Sequence, residues 1–320
     1  MMCKNCMAVY PISLKMWQTS QKRTDDFPSL PFHDYCKVAT WLRIGSQNFH
    51  RIRCSKPIGV QHEEIKTMHL YRHLDRIERR LQELGYTSKD VPVDPEQLGT
   101  LDSLHFFGDE PIRNIVRLLA NTPEDKKVLD IGTGYGGTAR LLAHRSGCKV
   151  DALELQPDLS EAGRELTRRC GLDSHVTHLN GDFLELSLQK EEYDAVCFDI
   201  LKPGGFLYID DFFVRGVELT KEDKLTLKQD VYCANLLRQT DLHEVLKDCG
   251  FEDISFQDVT TKWLPYLTNR ALQYRASLDS HIARDGETAA RDLEHFYTSV
   301  ARVFQGGNVG GYTLIVRKPL

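Results

Sequence analysis

The ten residues from Val128 to Gly137, VLDIGTGYGG, constrain this chain more than any other stretch. An apolar run leads into closely spaced glycines and then into Thr138 to His144, so the order reads as buried strand, tight turn and helix. Gly132 and Gly134 let backbone approach a nucleotide-like ligand, and Gly137 lets the helix pack near the strand. A dinucleotide pattern is satisfied by the same glycines, so they do not separate ligands by themselves. Asp130 lies two residues ahead of the first glycine, where its charge repels a pyrophosphate and suits a ligand bearing ammonium and sulfonium groups.

Strands and helices alternate from there on. Lys149 to Leu155 is a second apolar strand carrying Glu154, about twenty residues past the glycines, the spacing at which an acid meets ribose hydroxyls. A helix (Leu159 to Cys170) and a third strand (His175 to Leu179) lead to Gly181-Asp182-Phe183, a carboxylate and a ring that could hold an adenine. Tyr193 to Phe198 reads as strand four, Leu201-Lys-Pro-Gly-Gly205 as a turn, and Phe206 to Asp211 as strand five. In this order, motif by motif, the chain resembles the class I S-adenosylmethionine-dependent methyltransferases. From Leu101 to Leu320 it resembles the sarcosine/dimethylglycine N-methyltransferases, and more distantly the phosphoethanolamine N-methyltransferases. That closer resemblance is carried by Tyr135-Gly-Gly137, by Tyr208-Ile-Asp-Asp211 and by Gly306-Gly-Asn-Val-Gly-Gly311.

The resemblance implies an α/β fold with a Rossmann-like sheet and a helical insertion before the last strand. It also implies S-adenosylmethionine as cofactor, held by Asp130, Gly132, Thr133, Gly134, Gly136, Glu154, Leu155, Gln156, Asp182 and Phe183, with Glu154 on the ribose and Asp182 on the adenine. Candidates on the acceptor side are His105, Asp210, Asp211, Tyr232 and Asn308. The reaction implied is methyl transfer to a small molecule, an amine in the first reading. Carbon or oxygen methylation of a larger metabolite is the second reading, and a cofactor-binding protein without turnover the third.

One departure from the pattern is physical. Only the seven residues Asp199 to Gly205 separate strands four and five, whereas a parallel crossover takes about a dozen or more and usually a helix. Relatives carry a loop and helix there, often with a His near the end of strand four; this chain has neither, which points to a skipped exon or shortened gene model. Three outcomes follow: an antiparallel hairpin through Lys202-Pro-Gly-Gly205, a strained extended return, or a chain that does not fold stably.

The chain has 320 residues, 41% apolar and 27% charged, enough for one large domain with additions. Residues 1–60 carry nine Lys or Arg against three Asp, leaving an acidic remainder that does not suit nucleic acid. That extension reads as disordered in a cytoplasmic protein, with a plastid or mitochondrial transit segment as the alternative. Nine scattered cysteines suggest a reducing compartment and no disulfide framework; Cys3 and Cys6 lack a second close pair, so no metal site is expected. No apolar run is long enough to span a membrane.

The remaining organisation is helical cap, then core, then roof. His62 to Leu84 has helical periodicity, and residues 61–120 form a cap in which Pro92, Pro95 and Gly99 mark a loop. The aromatic piece Leu101 to Gly108, with His105 and Phe106, precedes a helix from Pro111 to Leu119 and could be a lid. Residues 121–320 form the catalytic domain. Within it, Thr220 to Gly250 is mainly helical and Phe251 to Val259 a strand. Two helices over about 262–305 roof a metabolite-sized pocket, with Trp263, Tyr266, Phe296 and Tyr297 as its core, before a flexible Gly306–Gly311 connection and a last strand, Gly311 to Lys318.

Overall fold

The computed structural model describes residues 75–320, except 103–106, 123–124, 184–185, 187–190, 196–200, 232, 234–235 and 252. Seven strands form one sheet in the order β3-β2-β1-β4-β5-β7-β6. They are β1 (Lys127–Ile131), β2 (Lys149–Glu154), β3 (Val176–Asn180), β4 (Tyr193–Ala195), β5 (Leu201–Val214), β6 (Ile254–Asp258) and β7 (Val309–Arg317). β1 to β5 run parallel, and β7 is antiparallel to both β5 and β6. The chain goes outward from β1 to β3, then crosses to β4 on the other side of β1. The strand order therefore reverses between β1 and β4, the kind of switch point at which open α/β sheets bind ligands.

Helices α1 (Asp75–Glu83), α2 (Pro95–Asp102), α3 (Glu110–Leu119), α4 (Gly137–Ser146) and α5 (Pro157–Arg169) belong to the cap and the first half of the sheet. Val128, Ala195 and Phe206 bury one sheet face against Ile112 and Leu119 of α3 and Ala139 to Ala143 of α4. α1 and α2 bury Ile77, Leu81, Leu98 and Leu101 with Leu166 of α5, and Tyr135 of the glycine turn packs against this cluster. The stretch read as a loop around Pro95 is helix instead. Proline is tolerated in a first turn, where its missing N–H costs nothing, and the Asp94 side chain accepts the Glu96 amide at 3.0 Å.

The second half adds α6 (Lys221–Gln229) and α7 (Gln239–Asp248), then α8 (Thr260–Ala276), α9 (Leu278–Asp285) and α10 (Glu287–Gln305). The roof is thus three helices rather than two, broken at Ser277 and Gly286. Trp263, Phe296 and Tyr297 are buried in its core with Phe212, but Tyr266 is exposed and lies edge-on to Phe107 at 5.5 Å. The segment read as a flexible connection enters β7 at Val309. A Cβ on Gly310 would collide with Thr260 and Phe213, and one on Gly311 with the Trp263 indole, so these glycines serve close packing of roof on sheet.

β4 and β5 pair in parallel, so the hairpin through Lys202-Pro-Gly-Gly205 does not form; residues 196–200, which join the two strands, lie outside the described residues. Tyr193 pairs with Leu201 and Ala195 with Phe206, so two steps along β4 face five along β5, and Lys202 to Gly205 are a bulged stretch of β5 rather than a turn. Gly204 takes φ +75°, and a Cβ on Gly205 would lie 2.9 Å from the Lys202 carbonyl oxygen.

Candidate functional site

The glycine turn is built from β1 and answered by β2. Gly132 and Thr133 donate their amides to the Leu153 carbonyl at 2.8 and 3.0 Å, Gly136 donates to Thr133 at 2.9 Å, and Gly134 donates to the Glu154 carboxylate at 2.8 Å. Positive φ at Gly132, Gly134 and Gly136 makes this path open to glycine. A pyrophosphate-binding turn presents its amides to the ligand; here those four amides already have protein acceptors. Asp130, half-buried, accepts from the Thr133 hydroxyl at 2.6 Å. The turn is therefore rimmed by two carboxylates and fits a cationic ligand with ribose hydroxyls better than a polyanion.

The other residues expected to hold the cofactor follow the strand tips. Glu154, almost fully buried, also accepts the Gln156 amide at 3.0 Å. Gln156 is buried, with its side-chain oxygen unpartnered, while Thr133 is buried and spends its hydroxyl on Asp130. At the end of β3, Asn180 donates to the Glu154 carbonyl at 2.9 Å, which brings half-buried Asp182 and Phe183 beside β2. Phe183 packs with Leu129, Ile131, Leu153 and Tyr193 on the sheet face opposite α4. Asp130, Glu154 and Asp182 thus stand at the carboxyl edge of three adjacent strands, with Leu155 half-buried between them.

On β5, which carries the acceptor candidates Asp210 and Asp211, the pairing of Val128 with Ala195 and of Ala195 with Phe206 makes Tyr208 level with Asp130 and Asp210 level with Gly132. Strand alternation points Tyr208 and Asp210 to the α3 side, as it does Val128 and Phe206. Tyr208 donates to Asp210 at 2.8 Å, Thr313 donates to its other oxygen, and Asn114 of α3 donates to the Tyr208 hydroxyl at 3.4 Å. Burial pushes the Asp210 carboxyl up to about 6; the Thr313 and Tyr208 hydrogen bonds offset part of this, and Glu110 and Asp211 add to it.

Two candidates do not join this group. Asp211 alternates to the opposite face, alongside Leu207 and Phe213, and accepts the Phe212 amide at 2.7 Å. Asn308 donates to Asp223 at 3.0 Å and holds the start of α6. His105 and Tyr232 lie outside the described residues. Tyr208 and Asn114, which sequence reasoning passed over, are the additions; Tyr208 carried a signal, being two residues from Asp210 on one face of a strand.

Residues 128–205 match a family described as a methyltransferase domain. Over 213 residues the chain is 30% identical to the sarcosine/dimethylglycine N-methyltransferase of Halorhodospira halochloris, which spans 59% of this chain and 73% of that protein. The chain belongs to the class I S-adenosylmethionine-dependent methyltransferases. This methyltransferase is also 25% identical over 232 residues to the 24-methylenesterol C-methyltransferase 2 of Oryza sativa subsp. japonica, covering 61% of the chain and 63% of that protein. Its fold resembles that of a Haemonchus contortus phosphoethanolamine N-methyltransferase 2 solved with phosphomonomethylethanolamine and S-adenosylhomocysteine. The TM-score is 0.60 at 21% identity, over 67% of this chain and 53% of the other, so the chain spans about half of that enzyme. The cofactor of this methyltransferase is S-adenosylmethionine. Among the described residues no group of His, Cys, Asp or Glu could hold a metal ion, and no helix is long and apolar enough to cross a membrane.

Proposed function

We propose that this methyltransferase N-methylates a small amine that arrives as a cation. The observation that carries the reading is Asp210, a buried carboxylate at the height of the glycine turn on the face it shares with Asp130, with Glu110 close enough to raise it further. Bound S-adenosylmethionine supplies an already activated methyl group, so alignment and exclusion of water matter more than a strong base. Asp130 and Glu154 balance positive charge at the donor, while Glu154 and Asp182 take the ribose and adenine. Asp210, oriented by Tyr208 and Thr313, attracts the ammonium form and can accept the proton the nitrogen must shed. The α8–α10 roof and the cap that precedes β1 close the two sides.

Mass spectrometry after incubation with methyl-labelled S-adenosylmethionine and pooled small amines tests this, with labelled N-methyl products expected. A second reading, carbon methylation, is favoured by the similarity to the rice sterol enzyme; label on a sterol in the same assay and none on amines would replace the amine reading. Binding of S-adenosylhomocysteine without any product across both pools would leave a cofactor-binding protein without turnover.

A further inference from the structure

Behind the glycine turn, away from the strand-tip acids, runs a buried polar chain. Arg140, one turn into α4, pairs with Asp102, the last residue of α2, and both are essentially without solvent. The same guanidinium donates to the Thr167 hydroxyl at 3.1 Å and to the Gly163 carbonyl at 3.2 Å. Thr167 lies 2.8 Å from Nε2 of buried His178, whose ring presses on the turn itself: a Cβ on Gly136 would sit 2.7 Å from that ring and 3.1 Å from Arg140.

Asp102 reaches Arg140 because Gly99 lets α2 lie directly on Leu141 of α4. Beyond Asp102 the chain leads to Asp109, which accepts from Arg145 of the same helix at 2.6 Å, and then into α3 with Glu110 and Asn114. The last residue of α2 and the residue just before α3 are therefore both held by α4, the helix that opens with the glycine turn. A partly exposed pair such as Arg145–Asp109 contributes little. A buried pair costs desolvation that an apolar pair of similar volume would not, so its presence calls for a role in specifying geometry.

We infer that Arg140 is a positioning residue: through Thr167 and His178 it sets the glycine turn against the cofactor, and through Asp102 it fixes α2 to the helix that follows that turn. The inference rests on the cofactor reading of the turn and on no particular acceptor.

The test uses the full chain and two readouts, melting temperature and S-adenosylhomocysteine affinity by calorimetry. Replacing the pair by Asp102→Leu with Arg140→Met should leave melting close to wild type, yet weaken S-adenosylhomocysteine about tenfold, because directional hydrogen bonds are lost while burial is kept. Thr167→Val, which removes only the hydroxyl between Arg140 and His178, should weaken binding in the same direction with little change in melting. A stable double variant with wild-type affinity overturns the inference, as does wild-type affinity in Thr167→Val should the double variant not fold. A wild-type chain that binds no S-adenosylhomocysteine overturns the cofactor site and this inference together. An amine panel without product overturns only the acceptor reading.

Discussion

Glu154 at the end of β2 accepts the amide of Gly134 at 2.8 Å, so an acid on one strand completes the turn that follows its neighbour. Its other oxygen takes the Gln156 amide. Glu154→Gln keeps the size but turns an NH2 toward donors, leaving a buried amide without an acceptor. S-adenosylhomocysteine affinity should fall by at least about tenfold, and melting should fall with it, since hydrogen bonds to charged groups contribute about 1.5–3 kcal/mol. Calorimetry with unchanged affinity would contradict the assignment.

Asp210 gives a pH signature with two opposite signs. Its folded pKa of about 6 lies above the ordinary carboxylate value, so between about 4 and 6 the native state holds more protons than the unfolded chain. The stability this contributes is present below the unfolded value and lost as pH rises through about 6. Attraction for a cationic acceptor runs the other way, because it needs the carboxylate: the acceptor KM should fall as pH rises through about 6. Asp210→Asn should raise KM at neutral pH and remove that limb from the KM–pH profile, with S-adenosylhomocysteine affinity unchanged.

His178 should sensitise the fold to acid. Burial, aided by the charges of Arg140 and Arg164, depresses its pKa to about 3. The unfolded chain protonates first, so stability should decline as pH falls from about 6.5 toward 3. Urea midpoints measured across this window should show a shallower slope for His178→Gln than for wild type. An equal slope would mean that the imidazole is not held neutral by its surroundings.

Gly136 and Gly147 form a controlled pair at the two ends of α4. Both have positive φ, 78° and 66°, but a Cβ on Gly136 strikes His178 while one on Gly147 meets nothing within 4 Å. Gly147→Ala should cost only the dihedral term, about 1–2 kcal/mol, and Gly136→Ala more than that. Thermal melts of the two variants would report the difference, and equal losses would show that the ring yields.

Strand β4 should exchange its amide hydrogens sooner than β1 and β2. Its pairing with β5 is irregular between Tyr193 and Ala195, whereas β1 and β2 pair over five consecutive positions. Local opening tracks thin pairing. Protection at Asp194 equal to that at Leu129 would refute this.

The stretch from Lys127 to Ser146 was legible because its signals are local: an apolar run, turn glycines, then a helical pattern. Glu154 was legible for the same reason, at a set distance beyond the turn. The β4–β5 junction was not, because how a short linker is accommodated depends on how far each strand extends, and that is decided by partners elsewhere in the chain. Pro95 misled because its meaning depends on position, breaking a helix interior but suiting a first turn. Asp211 could have been set apart from Asp210 by alternation alone. The network of Asp102, Arg140, Thr167 and His178 joins four elements distant in sequence, and nothing periodic announces it.

The place of β4 between β1 and β5 has a consequence for how the molecule would work. On the proposed function, donor chemistry gathers on β1 to β3 and the acceptor carboxylate on β5, which puts the two reactant cradles on either side of β4. Methyl displacement tolerates little misalignment between nucleophile and leaving group. On that reading, whatever stiffens or loosens β4 would bear on the turnover rate as surely as a change in either cradle.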